Sequence, residues 1–354
     1  MPRAIEVLVA DDSAFMRRAI TKMLESQDDI RVVATARNGE DAVTKTLALR
    51  PDVVTMDVAM PGIDGLEAVR RIVAQAHVPI IMISAHTREG AEITFRALEL
   101  GAIDFIAKPD AAYSNIESVA RDLVEKVRGC AGGVAHVIPS VASIASDVEG
   151  PPASKRRAEG TYQCVAVGAS TGGPVALTHL VPALPADFAA PVLIVQHMPL
   201  GFTGALAQRL DALSKVRVRE GEDGMLLEPG SATILPAGKQ LALRRAGGRV
   251  TLHLLDDEGD SLHVPSVDVL ASEVAEAYGA ASVGVILTGM GHDGVVGLQR
   301  IKSCGGYVVG QDEMTSVVYG MPRAAALAGL VDRVAPLLEI PGILCGLLHT
   351  AAVD

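Results

Sequence analysis

Apolar residues in the first third of the chain come in short runs separated by longer stretches of mixed character. IEVLVA (5–10), RVVATA (31–36), DVVTMD (52–57), PIIMIS (79–84) and AIDFIAK (102–108) are nearly continuous and rich in β-branched residues. That is the pattern of a strand buried on both faces. Between them, 14–26, 39–49, 65–75, 90–98 and 116–127 space their apolar residues three and four apart, as amphipathic helices do. Five βα repeats predict a parallel, doubly wound sheet with ligands at the carboxyl ends of its strands.

Residues 130–160 break the rhythm. They are rich in Gly, Ser, Ala and Pro and hold no period, so they read as an interdomain linker. A second α/β region follows. CVAVGAS (164–170), PVLIVQH (191–197) and SVGVILTG (282–289) are buried strands running into polar residues, and 175–180, 202–210 and 267–278 are helical. The stretch 217–255 reads as short strands with turns, hairpins among them. The expected divisions are a first domain at 1–128, a linker at 129–161 and a second domain at 162–354, both domains α/β and the second a doubly wound, mostly parallel sheet.

Composition then narrows the function. With 354 residues, 49% hydrophobic, 3% aromatic and no Trp, the cores must be aliphatic, and an aromatic platform for stacking bases is missing. The formal net charge is −11, and the one compact basic run, Lys155-Arg156-Arg157, sits in the linker, so no nucleic-acid binding is expected. Cys130, Cys164, Cys304 and Cys345 are far apart with no CxxC pair, which fits a reducing cytoplasm. The apolar run near the start is too short for a signal peptide, and no run reaches the ~18 residues of a membrane span.

The polar residues that close the first five strands form a set. Asp11 and Asp12 follow the first strand, Asp57 ends the third, Ser84 the fourth and Lys108 the fifth. A doubly wound sheet gathers those ends on one rim. Three carboxylates there repel one another and invite a hard cation such as Mg2+. Asp57 is then suited to accept a phosphoryl group, with Lys108 and Ser84 on its oxygens. Any strand end collects polar residues, so one alone says little; five at matching ends say more. VLVADDS, MDVAMPGIDGLE, IMISA and DFIAKP together resemble response-regulator receiver domains, of flavodoxin-like (βα)5 fold, over about residues 4–128. The resemblance implies that a histidine kinase phosphorylates Asp57. It also implies that Mg2+ is held by Asp11, Asp12, Asp57 and the backbone carbonyl of Ala59, and that Ser84 and Phe105 occupy the positions that change conformation. Ala59 stands where an acidic or polar side chain is more usual.

In the second region, Gly168 to Gly172 match G-x-S-x-G, with a strand before and a helix after. The glycines permit a tight turn and close substrate approach, and a helix start would aim its positive end at developing negative charge. The loop lacks the lysine of a P-loop. A serine nucleophile at Ser170 needs a base. His197 closes the apolar strand VLIVQ; His292, in GMGHDG, is the rival. His179 lies within a helix, and His253 and His263 lie where no strand end is obvious. For the orienting acid, Asp293 follows a strand in a glycine-rich loop, whereas Asp268 in PSVD reads as part of a helix cap with Ser266. Ser170, His197 and Asp293 thus each follow a different strand. Their chain order differs from the Ser, acid, His of α/β-hydrolases, although triad chemistry can be the same.

VGASTGGP, IVQHMP, PSVDVL, LTGMGHDG and DEMTSVVYGMP resemble the catalytic domain of the chemotaxis receptor methylesterase family, CheB, over about residues 162–350. The receiver precedes it in that family's order. The resemblance implies a phosphorylation-regulated serine hydrolase that demethylates glutamyl methyl esters on chemoreceptors, releasing methanol, and deamidates glutamines, giving adaptation in chemotaxis. It implies oxyanion donors at the backbone N–H groups of Thr171 and Met290, Mg2+ in the receiver and no cofactor in the catalytic domain. Methyl-accepting chemoreceptors are the implied substrate and a chemotaxis histidine kinase the phosphodonor. The receiver is expected to cover the Ser170 rim at rest, and phosphorylation to shift the population toward open enzyme. Two alternatives stand beside this: a phosphorylation-controlled binding module with a vestigial triad, and a regulated esterase or amidase acting on a non-receptor protein.

Overall fold

The computed structural model describes residues 3–85, 87–108, 116–131, 162–257 and 262–348. The chain divides into two compact units, Met1–Val137 and Ile138–Asp354.

The first unit runs β1 (Ile5–Ala10), α1 (Ala14–Glu25), β2 (Ile30–Ala36), α2 (Gly39–Leu49), β3 (Val53–Asp57), α3 (Gly65–Gln75), β4 (Ile80–Ser84), α4 (Arg88–Glu99), β5 (Asp104–Ala107) and α5 (Ile116–Ala131). Its five strands are parallel in the order β2-β1-β3-β4-β5. This is the flavodoxin-like order, whose switch point lies between β1 and β3. Val7, Leu8, Val9 and Ala10 are fully buried, which is why β1 reads as an unbroken apolar run. Burying each such valine or leucine contributes about 1.5–3 kcal/mol.

Ser13, Asn38, Asp64 and Thr87 cap α1 to α4, each accepting a backbone N–H three residues on. Thr87 starts α4 two residues earlier than apolar spacing predicts. Helix α5 continues past the predicted 127, because Arg128 makes two hydrogen bonds to the Asp29 carboxylate (2.8 and 2.7 Å) and Cys130 is buried in the core. Residues 129–131, expected in the linker, are therefore helical; the rest of that stretch, 132–161, lies outside the described residues.

The second unit runs β6 (Cys164–Ala169), α6 (Gly173–Leu180), β7 (Val192–Gln196), α7 (Thr203–Leu213), β8 (Arg217–Glu220), β9 (Met225–Leu226), β10 (Ser231–Ile234), β11 (Gln240–Ala246), β12 (Arg249–Leu255), α8 (Val267–Tyr278), β13 (Ser282–Ile286), α9 (Val295–Ser303), β14 (Tyr307–Gln311), α10 (Met321–Leu327), β15 (Arg333–Ala335) and α11 (Ile340–Leu348). Seven parallel strands form one sheet in the order β15-β14-β13-β6-β7-β10-β8. The stretch read as short strands and turns is split. β8 and β10 join this sheet in parallel, while β11 and β12 form an antiparallel pair with β9 alongside. From β6 the chain builds outward through β7 and returns on the other side at β13, so the switch point lies between β6 and β13. Helix α8 packs directly on β6: a Cβ at Gly168 would sit 2.3 Å from Val267 Cγ1. Among the described residues, no helix is long and apolar enough to cross a membrane.

Candidate active site and acidic pocket

β6 and β7 pair in register up to Ala169 opposite Gln196. The next residue on each strand is Ser170 and His197, so the two stand side by side at the sheet's carboxyl rim. The His197 N–H donates to Ala169 O (3.0 Å), and the Ser170 N–H donates to Thr288 O (3.1 Å), just past β13. His197 Nε2 lies 2.8 Å from Asp293 Oδ2. An ionised carboxylate only accepts, so Nε2 carries a proton, and in the neutral ring Nδ1 is the nitrogen with the lone pair. Nδ1 is buried and has no hydrogen-bond partner. Among the described residues, Ser170 Oγ has none either. The rival His292 is exposed. His179 bonds to Val175 O within α6, and His253 faces Asp223.

Asp293 is held by four donors. Oδ1 accepts from Ser266 Oγ (2.8 Å) and the Asp268 N–H (3.0 Å); Oδ2 accepts from His197 and the Val267 N–H (2.7 Å). The backbone donors are the first turn of α8, whose positive end favours an anion. Burial alone would raise this acid. The His197 bond and charge, with the helix N–H groups, overcome burial and hold it well below the usual carboxylate range. Asp268 does the reverse job. Its Oδ1 accepts from the N–H groups of Gly294 and Gly297 (2.9 Å each) and so closes the start of α9, while the cap that the sequence placed at 266–268 is made by Ser266, whose Oγ accepts from the Asp268 and Val269 N–H groups of α8. Each acid closes the other's helix.

Sequence reasoning set His263 aside as a base and did not single out Gln196 or Thr288. The His263 ring stacks on His197, centroids 4.0 Å apart and planes 12° apart. Burial and the neighbouring His197 lower it to about 4, so it is neutral at pH 7. Gln196 is buried, and its Nε2 donates to Ser170 O (2.8 Å) and His197 O (2.9 Å). The one signal in the sequence was an amide ending a wholly apolar strand. Thr288 Oγ1 donates to Thr171 O (2.9 Å) and accepts from the Val318 N–H (3.0 Å), stitching the Ser170 turn to the loop after β14. Among the described residues, the backbone N–H groups of Thr171 and Met290 have no partner. The Met290 loop passes against Ser170, since a Cβ on Gly289 would meet Ser170 Cβ at 2.8 Å.

In the first unit, carboxylate oxygens of Asp11, Asp12 and Asp57 lie within 4.8 Å of one another. Lys108 Nζ bridges Asp57 Oδ1 (2.8 Å) and Asp11 Oδ2 (3.2 Å). Burial raises Asp57, aided by the charge of Asp11 and opposed by Lys108. Lys108 in turn is lowered by burial but raised overall by the two acids. The Ala59 N–H makes a long bond to Asp57 Oδ1 (3.4 Å). Asp57 Oδ2 is buried and unpartnered. Ser84 Oγ donates to Gly90 O (3.1 Å) in the first turn of α4, and Phe105 is buried edge-on to Phe95.

Residues 7–119 match the response regulator receiver domain family, and residues 165–344 match the CheB methylesterase family. The chain is 43% identical to a protein-glutamate methylesterase/protein-glutamine glutaminase of Archaeoglobus fulgidus, over 95% of this chain and 96% of that protein. It is 42% identical to the protein of the same name from Thermotoga maritima, over 96% and 97%. The crystal structure of the Thermotoga maritima CheB methylesterase catalytic domain superimposes with a TM-score of 0.52 at 41% identity, covering 52% of this chain and 98% of that one.

Proposed function

The chain belongs to the CheB methylesterase family, and from that premise we propose how its residues carry out the reaction. It is a phosphorylation-regulated protein-glutamate methylesterase and protein-glutamine glutaminase, with a receiver domain ahead of the catalytic part. We divide it into a receiver reaching 131, where α5 ends, a linker at 132–161 and a catalytic domain at 162–354; both family matches fall inside those bounds.

Ser170 Oγ attacks the carbonyl carbon of a glutamyl methyl ester on a chemoreceptor. His197 Nδ1 takes the serine proton and then delivers it to the departing methoxide, releasing methanol. Water attacks the acyl-serine, again through Nδ1, and restores Ser170 and a glutamate carboxylate. With glutamine the leaving group is ammonia. Asp293 keeps the proton on Nε2 and stabilises the imidazolium. The N–H groups of Thr171 and Met290 receive the oxyanion, at about 3 kcal/mol each. Neutral His263 lies flat on the base and limits its tilt. The observation that carries this reading is the His197–Asp293 bond, which leaves Nδ1 buried and without a hydrogen-bond partner, on the residue that follows β7 where Ser170 follows the adjoining β6.

The receiver accepts its phosphoryl group on Asp57 from a chemotaxis histidine kinase, with Lys108 and Ser84 receiving the phosphoryl oxygens. The donor set fits Mg2+: three clustered carboxylates, and an Asp57 oxygen buried with no partner. Asp11, Asp12, Asp57 and the Ala59 carbonyl would hold the ion, which supplies positive charge against the incoming phosphoryl group. We place the enzyme in the cytoplasm, where its four unpaired cysteines stay reduced.

The test is methanol release from methylated receptor membranes, comparing the full chain with Ser170→Ala, each with and without acetyl phosphate and with and without a chelator. Expected are release by the wild type, stimulation by phosphodonor that the chelator removes, and no release by Ser170→Ala. Undiminished release by Ser170→Ala would overturn the assignment of the nucleophile.

A further inference from the structure

We propose that Gln196 is a positioning residue whose side-chain amide fixes the Ser170–Thr171 peptide and so aims the Thr171 N–H at the reacting carbonyl oxygen. This rests on the reading of Ser170 as nucleophile. Gln196 ends β7 and is 1% exposed, in a strand otherwise made of Val, Leu and Ile. A primary amide there is unfavourable unless it is bonded. Its Nε2 donates to the carbonyls of Ser170 and His197, the two residues that carry the reaction. Both partners are pure acceptors, so the orientation of the amide is determined.

The other half of the amide is unmet. Gln196 Oε1 is buried with no hydrogen-bond partner. It occupies the space beside Gly173, where a Cβ would lie only 1.9 Å away, so the glycine is needed for the amide to fit. If the position served packing alone, an apolar side chain of the same length would do as well or better. The amide is held for what its nitrogen does.

That nitrogen acts through peptide geometry. Ser170 O accepts from Gln196 Nε2 and from the Gly173 N–H, both at 2.8 Å. A trans peptide is planar, with C=O and N–H pointing opposite ways. Holding Ser170 O therefore fixes the direction of the Thr171 N–H, which has no partner within the described residues. Thr288 Oγ1 holds the next carbonyl, Thr171 O, so the peptides on both sides of Thr171 are tied. Donors fixed before the reaction need no reorganisation when charge develops. By also holding His197 O, one amide links the turn of the nucleophile to the backbone of the base.

Gln196→Met in the full chain keeps the length and removes the donors; Gln196→Glu keeps the shape and sets an acceptor against two carbonyls. For each variant, thermal melting reports the fold and methanol release reports kcat and KM. The expected result is a loss of about 10–100-fold in kcat with KM within twofold, less than deleting an oxyanion donor outright. A glutamyl-type boronic acid, which forms a tetrahedral adduct with the serine, should lose affinity in the same proportion as kcat/KM. A residue that only supported the fold would not produce that parallel. A folded Gln196→Met with kcat within twofold of wild type overturns the proposal. So does a loss of kcat with adduct affinity unchanged, and so does loss of fold in both variants. Failure of the Ser170 assignment would show separately, as methanol release by Ser170→Ala.

Discussion

Asp57 and Asp293 are both largely buried carboxylates at the carboxyl rims of parallel sheets, yet their acidities move in opposite directions. Around Asp57, burial dominates. Lys108 reaches one oxygen at 2.8 Å, the backbone bond from Ala59 is long, Asp11 adds a like charge, and Oδ2 has nothing. Around Asp293, two oxygens share four donors between 2.7 and 3.0 Å. Burial is similar and satisfaction is not. A carboxylate that must take on a new group is left short of partners; one that must keep its charge and hold a neighbour is saturated. The difference is visible before any chemistry is assigned, and it agrees with the roles proposed for the two, acceptor and orienter.

The comparison breaks most easily at Asp293→Asn. Without the carboxylate, Nε2 loses the partner that sets its proton, and kcat should fall by about 10^3–10^4-fold with little change in KM. Methanol release measures it. Stability should fall too. The folded pKa of Asp293 is depressed, so its contribution is present above the unfolded carboxylate pKa of about 4 and is lost as pH falls through the folded value. The melting deficit of Asp293→Asn should persist from pH 7 to pH 5 and shrink below about 4.

Asp57→Asn should give the opposite sign. It abolishes stimulation by phosphodonor and leaves basal esterase activity. The folded pKa of Asp57 is raised, so its favourable contribution exists at low pH and is lost as pH rises through that value. At pH 7 the substitution should therefore raise the receiver's Tm, by about 3 °C if the relief is near 1 kcal/mol. A lowered Tm would remove the physical basis of the contrast. The smallest effect belongs to His263. Its pKa is lowered, so between about 6.5 and 4 the unfolded chain binds a proton that the folded chain refuses, and stability declines with falling pH. His263→Phe keeps a ring against His197 and should flatten that decline modestly, because the side chain is partly open to water. Identical pH 7 to pH 5 melting shifts in both proteins would count against it.

What the chain discloses in advance follows from what periodicity reports. Strands such as β1 and β4, buried on both faces, and helices with one apolar stripe announce themselves, and most of their ends fall within two residues of the pattern. Ser170, His197 and Asp293, the proposed triad, stood out as candidates because each follows a buried run, where a parallel sheet exposes its rim. The atom of His197 that faces Asp293 was not findable, since that is a choice of rotamer. Nor was the parallel pairing of β8 and β10. Four residues with burial alternating or nearly uniform do not say which distant strand lies alongside. Gln196, and the stacking of His263 on His197, stayed hidden for the same reason: they depend on neighbours remote in sequence. The side chain of Ser84, bonded to Gly90 O, likewise depends on how α4 is seated.

The exchanged caps of α8 and α9 bear on how this enzyme could decay. A duplicated copy released from selection for turnover can lose Ser170 without disturbing its fold. It cannot lose Asp293 so freely, because the Val267 N–H at the start of α8 would be left unanswered. In lineages that have become mere binders, the acid should therefore outlast the serine. A surviving aspartate after the glycine-rich loop would testify to ancestry and architecture, and only the serine to a living reaction.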